Sequence, residues 1–196
     1  MDTDYPDEPE TQDGRRLRSQ DSRKRIVQAM LELVHGGDVS PAADKVAARA
    51  RVGLRTVFRH FKDMDSLYAE MAETIEGELR QVALQPFTAE DWRERVVEIV
   101  HRRSGAFERV GPFRRASDAH RHRSPFLEAS AARLAAALRE LLRAVLPPEV
   151  ANDLATFEAL DLLLSFESWM RLRREQRLGV DQARAVLESA VRKLIA

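Results

Sequence analysis

Arg55, Thr56, Arg59 and His60 fall within six residues, at spacings of one, three and four that bring side chains to one side of a helix. An exposed helix carrying them suits the major groove of duplex DNA. A guanidinium can pair with two acceptors on a guanine edge, and a threonine can touch a thymine methyl or a phosphate. Arg51, Gly53, Leu54 and Lys62 flank the set and complete the candidate DNA-contacting surface. A second group, His101, His120 and His122 with Asp118 and Glu128, is the raw material of a metal site or an acid–base pair. On a helix, however, side chains two positions apart diverge by about 200°, which is poor for one metal ion, and Arg121 and Arg123 would oppose a cation. There is no Gly-rich phosphate loop, no HExxH and no paired-acid motif. The chain has no cysteine, which excludes disulfides, thiolate ligands and a cysteine nucleophile. The expectation is a protein that is not an enzyme and has no metal and no cofactor.

Around Arg55 and Arg59 the charge along the chain is unevenly distributed. The 196 residues carry a formal net charge of zero. Residues 1–14 hold six acids and no Lys or Arg, residues 15–62 hold twelve Lys and Arg against four acids, and residues 63–196 hold twenty against twenty-two. A compact basic segment beside a near-neutral body is the footprint of a phosphate-binding module. Hydrophobic residues make up 44% of the chain, enough to build a core. No apolar run is long enough to span a membrane, and the acidic, polar start is not that of a signal peptide, so a cytoplasmic protein is expected.

The elements read as all-α, with about nine helices and short connections. Residues 1–19 form a disordered arm, acidic and then basic at Arg15–Arg18. A helix near 22–35 carries Ile26, Val27, Met30, Leu31 and Val34 at helical spacing and ends at Gly36-Gly37. Ser40-Pro41 reads as N-cap and first helical residue of a short helix over 41–50. Arg51-Val52-Gly53 breaks it, and a second short helix covers 54–61. Val46, Ala47, Ala50, Val57, Phe58 and Phe61 supply the inward contacts of this helix-turn-helix. Helices over about 64–84, from 88 to a break at Gly105 and Gly111-Pro112, and over 125–145, 148–174 and 180–195 complete the chain. Three regions follow: the arm 1–19, a helix-turn-helix domain 20–63 and a larger domain 64–196.

Val46-Ala47-Ala48-Arg49-Ala50-Arg51-Val52-Gly53-Leu54-Arg55-Thr56-Val57-Phe58-Arg59-His60-Phe61, followed by Lys62 to Leu67, resembles the signature of TetR-type repressors of the TetR/AcrR family. Ala47, Ala50, Val52, Thr56, His60, Phe61 and Leu67 match it, with Val57 and Phe58 as close substitutes. Trp169-Met170-Arg171-Leu172 and the apolar positions after Leu178-Gly179 are similar to the family's last two helices. The chain departs from the pattern at Arg51, where the family has glycine for a left-handed turn; Gly53 absorbs part of the bend, or Arg51 gains a phosphate contact. Gly53 replaces the family's serine cap, and Met64 replaces a phosphate-contacting lysine whose loss Lys62 or the Arg15–Arg18 arm would offset. Carried over residue by residue, the resemblance implies DNA contact at Thr56, His60 and Lys62.

The resemblance further implies a ligand-released repressor that binds a near-palindromic double-stranded operator as a homodimer, through helices 148–174 and 180–195. The residues support the pairing on their own account, because 148–174 is apolar nearly all round, and a second apolar face needs a second partner. An unidentified small-molecule effector is expected among the central helices. Met71, Trp92, Phe107, Phe113, Phe126, Phe157 and Trp169 are the aromatic and Met candidates for its wall. Asp161, inside the run Leu160–Leu164, is exposed at a helix edge, paired with an arginine, or aimed at a polar or cationic ligand. Helix 64–84 would carry the effector's signal to the DNA-binding helices as a population shift. The rival reading is a helical protein-interaction adaptor without DNA binding, whose double-faced helix docks another protein.

Overall fold

Unbroken runs of good helix formers set the architecture. The computed structural model describes residues 12–196, and among them there are ten α-helices, a short π-helical segment and no strand. The chain divides after Met71 into two compact units.

In the first unit, α1 (Gln12–His35), α2 (Ala43–Ala50) and α3 (Leu54–His60) lead into α4 (Met64–Ala83), whose first turns belong here. Ile26, Met30 and Val34 of α1, Val46 and Ala47 of α2, Val57 of α3, and Leu67, Tyr68 and Met71 of α4 are all buried. Fully burying such a side chain contributes roughly 1.5–3 kcal/mol. The unit therefore ends about two helical turns later than the boundary expected at 63, because Leu67 and Met71 pack into this core. Two further expectations are corrected. α1 starts at Gln12, so residues 12–19 of the expected disordered arm are helical; Arg, Leu and Gln are good helix formers, and no Gly or Pro lies between Gly14 and Gly36. Residues 1–11 lie outside the described residues. α2 starts at Ala43, not at Pro41, and Ser40 does not cap it: the Ser40 N–H donates to Asp38 Oδ1 at 3.2 Å.

In the second unit the central element is α5 (Trp92–Arg121), which packs against α6 (Pro125–Arg143), α9 (Phe166–Met170) and α10 (Val180–Leu194). α7 (Pro148–Ala151) and α8 (Leu154–Leu163) lie between, and residues 171–175 form the π-helical segment. Asp91 starts α5 by accepting from the N–H groups of Arg93 and Glu94, and Ser124 starts α6 by accepting from that of Leu127 at 3.3 Å. The expected break at Gly105 and Gly111-Pro112 does not occur, and α5 runs through both. A proline inside a helix costs about 3 kcal/mol. Burial of Val96, Ile99, Val100, Phe107 and Val110 along the same helix outweighs that cost at roughly 1.5–3 kcal/mol each. Conversely, the single helix expected over 148–174 is divided. Asp153 accepts from the Thr156 N–H at 3.3 Å and Ser165 from the Ser168 N–H at 3.1 Å, so each starts a new helix at its own position.

Candidate nucleic-acid interface and ligand cavity

The turn between α2 and α3 is made by Arg51, which adopts φ 54° and ψ 48°, while its N–H reaches back to α2 carbonyls. Gly53 is extended, with φ −71°, so the left-handed strain rests on Arg51 and is not shared by Gly53. Gly53 starts α3 without a side-chain cap. The far end of α3 is held by Arg23. Its Nη1 donates to the His60 carbonyl at 2.8 Å, its guanidinium lies 4.4 Å from the Phe61 ring centre, and Nε and Nη2 bind both Glu70 oxygens at 3.1 and 2.6 Å. Val57 and Phe61 anchor the inner face, at 1% and 2% exposure.

Arg51, Arg55, Arg59 and Lys62 are exposed, and none has a carboxylate partner among the described residues. Four other cations of this unit are paired: Arg23 with Glu70, Arg25 with Asp21, Lys45 with Asp38, and Arg49 with Glu32. Thr56 is half-buried, and Gly53 and Leu54 are exposed. His60 is half-buried, with Nε2 closed off from solvent and lacking a hydrogen-bond partner, so this nitrogen is not offered to a nucleic acid. Burial first, then the charges of Arg59 and Arg23, holds the His60 pKa below its ordinary value. Phe58 corrects the expectation of an inward contact: it is 47% exposed, beside Leu54 at 46%. The helical wheel carries the signal, since Phe58 stands about 100° round from buried Val57.

Within the second unit, α4 from Ala72 onward, α5 and α6 enclose a mostly apolar cavity of about 130 Å³. Ile75 and Leu79 of α4, Phe107, Val110 and Phe113 of α5, and Leu127, Leu134 and Leu138 of α6 supply its apolar wall. Glu76, Arg102, Arg103, Arg114, Asp118 and Arg121 add charge, and Ser117 and Ser130 add hydroxyls. Of the eight residues expected at an effector site, Phe107 and Phe113 line this cavity. The other six are placed elsewhere. Met71 is buried in the first unit, and Trp92 packs at the edge of the second unit's core with Arg93 over its ring. Phe126 is half-buried under Arg133, and Phe157 is core at 1% exposure. Asp161 is paired with Arg139 at 2.7 Å, and Trp169 is fully buried with Nε1 donating to Glu108 at 2.8 Å.

The histidine group does not assemble. His101 Nε2 lies 3.3 Å from Glu188, His122 is exposed at the end of α5, and among the described residues no three metal-ligating side chains come together. No helix among them is long and apolar enough to cross a membrane.

The arrangement of α1–α3 before a larger helical unit defines a class: the chain has the fold of TetR-family transcriptional regulators. Three solved structures illustrate it. The multidrug binding protein EbrR, solved with imidazole, is 23% identical, with a TM-score of 0.62 over 86% of this chain and 88% of its own. A TetR-family member from Streptomyces coelicolor is 22% identical, with a TM-score of 0.61 over 87% of this chain and 97% of its own. A transcriptional regulator from Rhodococcus sp. is 16% identical, with a TM-score of 0.67 over 89% and 96%. No family model matches the sequence, and no curated protein matches it.

Proposed function

We propose that the chain is a DNA-binding transcriptional regulator that acts as a homodimer on a near-palindromic operator and is released by a small molecule held in the C-terminal cavity. The observation that carries this reading is the row of exposed cations on and beside α3 that no acid compensates: Arg51, Arg55, Arg59 and Lys62. Arg23, Lys45 and Arg49 of the same unit are neutralised by acids, whereas these four stand together with their charge open to a phosphate. In the groove, Arg55 and Arg59 would address guanine edges, Thr56 a thymine methyl or phosphate, and Arg51 and Lys62 the phosphate backbone.

Pairing of two copies is supported by apolar side chains left uncovered on α8 and α10: Leu154 is 73% exposed, Leu162 65% and Val186 46%. The cavity supports the effector reading, and EbrR, which shares the fold, has been solved with imidazole and with ethidium. The shift would act through α4, which holds cavity residues beyond Ala72 and core residues of the first unit before it. The adaptor reading accounts for the apolar faces but leaves the four cations without a role.

Selection of binding sites from random duplex DNA tests the proposal. It should return an inverted repeat whose half-sites are spaced by about one or more helical turns, with affinity falling steeply as salt rises. Recovery of no preferred sequence, with flat salt dependence, would sink it.

A further inference from the structure

The charges on the cavity wall are of two kinds. Most are compensated. Arg114 Nε donates to both Asp118 oxygens at 3.2 and 3.3 Å, Arg121 lies 3.6 Å from Asp118 and 3.1 Å from Glu128, and Arg102 is matched by Glu98 at 2.5 Å. Arg103 is not compensated. It is 8% exposed, and its guanidinium meets carbonyls only: Nη1 donates to Leu164 at 3.1 Å and Nη2 to Leu138 at 2.6 Å. No carboxylate stands within ion-pair distance of it among the described residues, and the acid whose field it feels, Asp161, is committed to Arg139. Burial draws its pKa down to about 10, so it stays charged near neutral pH. The Leu164 carbonyl ends α8 and offers the partial negative charge of a helix terminus, which offsets only a fraction of a full cation. A buried charge met by carbonyl dipoles and by a carboxylate already paired with another arginine is costly, and a ligand anion would relieve that cost.

Glu76 makes no comparable demand. It is half-buried, it accepts from the Ser130 hydroxyl, and Ser130 stands about 12 Å along α6 from Leu138, where Arg103 is bound. Between and beyond these points the α6 side of the wall is apolar, and the α6 residues that line it run from Leu127 to Leu141, about 21 Å. We infer that the cavity's ligand is an elongated apolar molecule with an acidic group, seated so that its anion meets Arg103. This rests on the reading of the cavity as the effector site and adds the ligand's chemical class to it.

Octanoate, octan-1-ol and octylammonium share one chain and differ in head group, so calorimetric titration of each into the full chain reads the class directly. Octanoate should bind about tenfold more tightly than octan-1-ol, with octylammonium no tighter than the alcohol. Arg103→Gln should erase the preference of acid over alcohol and leave the alcohol's affinity within about twofold; Arg103→Lys should keep the preference. If Arg103→Gln does not fold, the ratio in the unaltered protein still decides. Ala131→Trp, which fills the cavity from α6, should weaken all three. Equal binding of acid and alcohol, or tightest binding of the amine, overturns the acidic class and leaves the cavity as the effector site. Failure of all three to bind, or binding that survives Ala131→Trp, removes the cavity reading and this inference together, while DNA binding stands on its own test.

Discussion

At the scale of single residues, Arg51 carries two opposing demands. Its left-handed backbone costs about 1 kcal/mol that a glycine would not incur, yet its exposed guanidinium stands among the uncompensated cations beside α3. Arg51→Gly is therefore expected to raise the melting temperature by a few degrees while weakening binding to all DNA sequences alike, as thermal unfolding and salt-dependent binding would read. The strain was legible from residue type at that turn; that Gly53 takes none of it was not, because an extended Gly53 is needed to launch α3. His60 yields a pH prediction. Burial, then Arg59 and Arg23, depresses its pKa below 6.5, so the native state keeps the ring neutral. The stability tied to this is whole above pH 6.5 and is lost as the pH falls below it. His60→Gln should flatten the fall in melting temperature between about pH 7 and pH 5. An unchanged profile would show that other groups govern it.

At the scale of elements, one ion pair on α5 holds both sides of the loop that follows α4. Arg102 donates to the carbonyls of Gln85, at 2.5 Å, and Pro86, while Glu98 accepts from the N–H groups of Thr88 and Ala89 at 3.0 and 3.3 Å. The Glu98 carboxyl is raised by burial, but the hydrogen bonds from Arg102, Thr88 and Ala89 together bring it below its ordinary value. Glu98→Gln should thus speed amide exchange over residues 84–91 and lower the melting temperature by several degrees, because Arg102 then loses its counter-charge. Protection unchanged at Thr88 and Ala89 would place the loop's restraint elsewhere. Arg102 and Phe87 also line the cavity, so this loop joins the cavity wall to the C-terminal end of α4. None of this was legible in the sequence, since Arg102 and Glu98 sit among the dense charges of residues 93–103 and only folding selects which pair closes on the loop.

At the scale of the whole molecule, the uncovered leucines on α8 make the prediction. Leu162→Glu places a charge where a second copy would bury an apolar side chain. It should convert a dimer to a monomer by light scattering and weaken operator binding, with the melting temperature of the monomer little changed because Leu162 is 65% exposed. A dimer that survives both Leu162→Glu and Leu154→Glu would place the interface on another face.

The sequence by itself determined what depends on neighbours along the chain: the all-helical class, the short α2 and α3 with their turn, the Ser124-Pro125 start of α6, and the exposure of Arg55 and Arg59 opposite Val57 and Phe61. Periodicity, caps and turn residues act over three or four positions, so residue order is enough to read them. Only the tertiary structure decided the rest. Whether Pro112 breaks α5, whether Phe157 walls a cavity or fills a core, and whether Arg103 finds a carboxylate are questions of which distant side chains arrive at the same place. Burial energy summed over α5 outweighs a local helix breaker there, and a cavity is the space that packed side chains fail to fill, which no stretch of sequence contains.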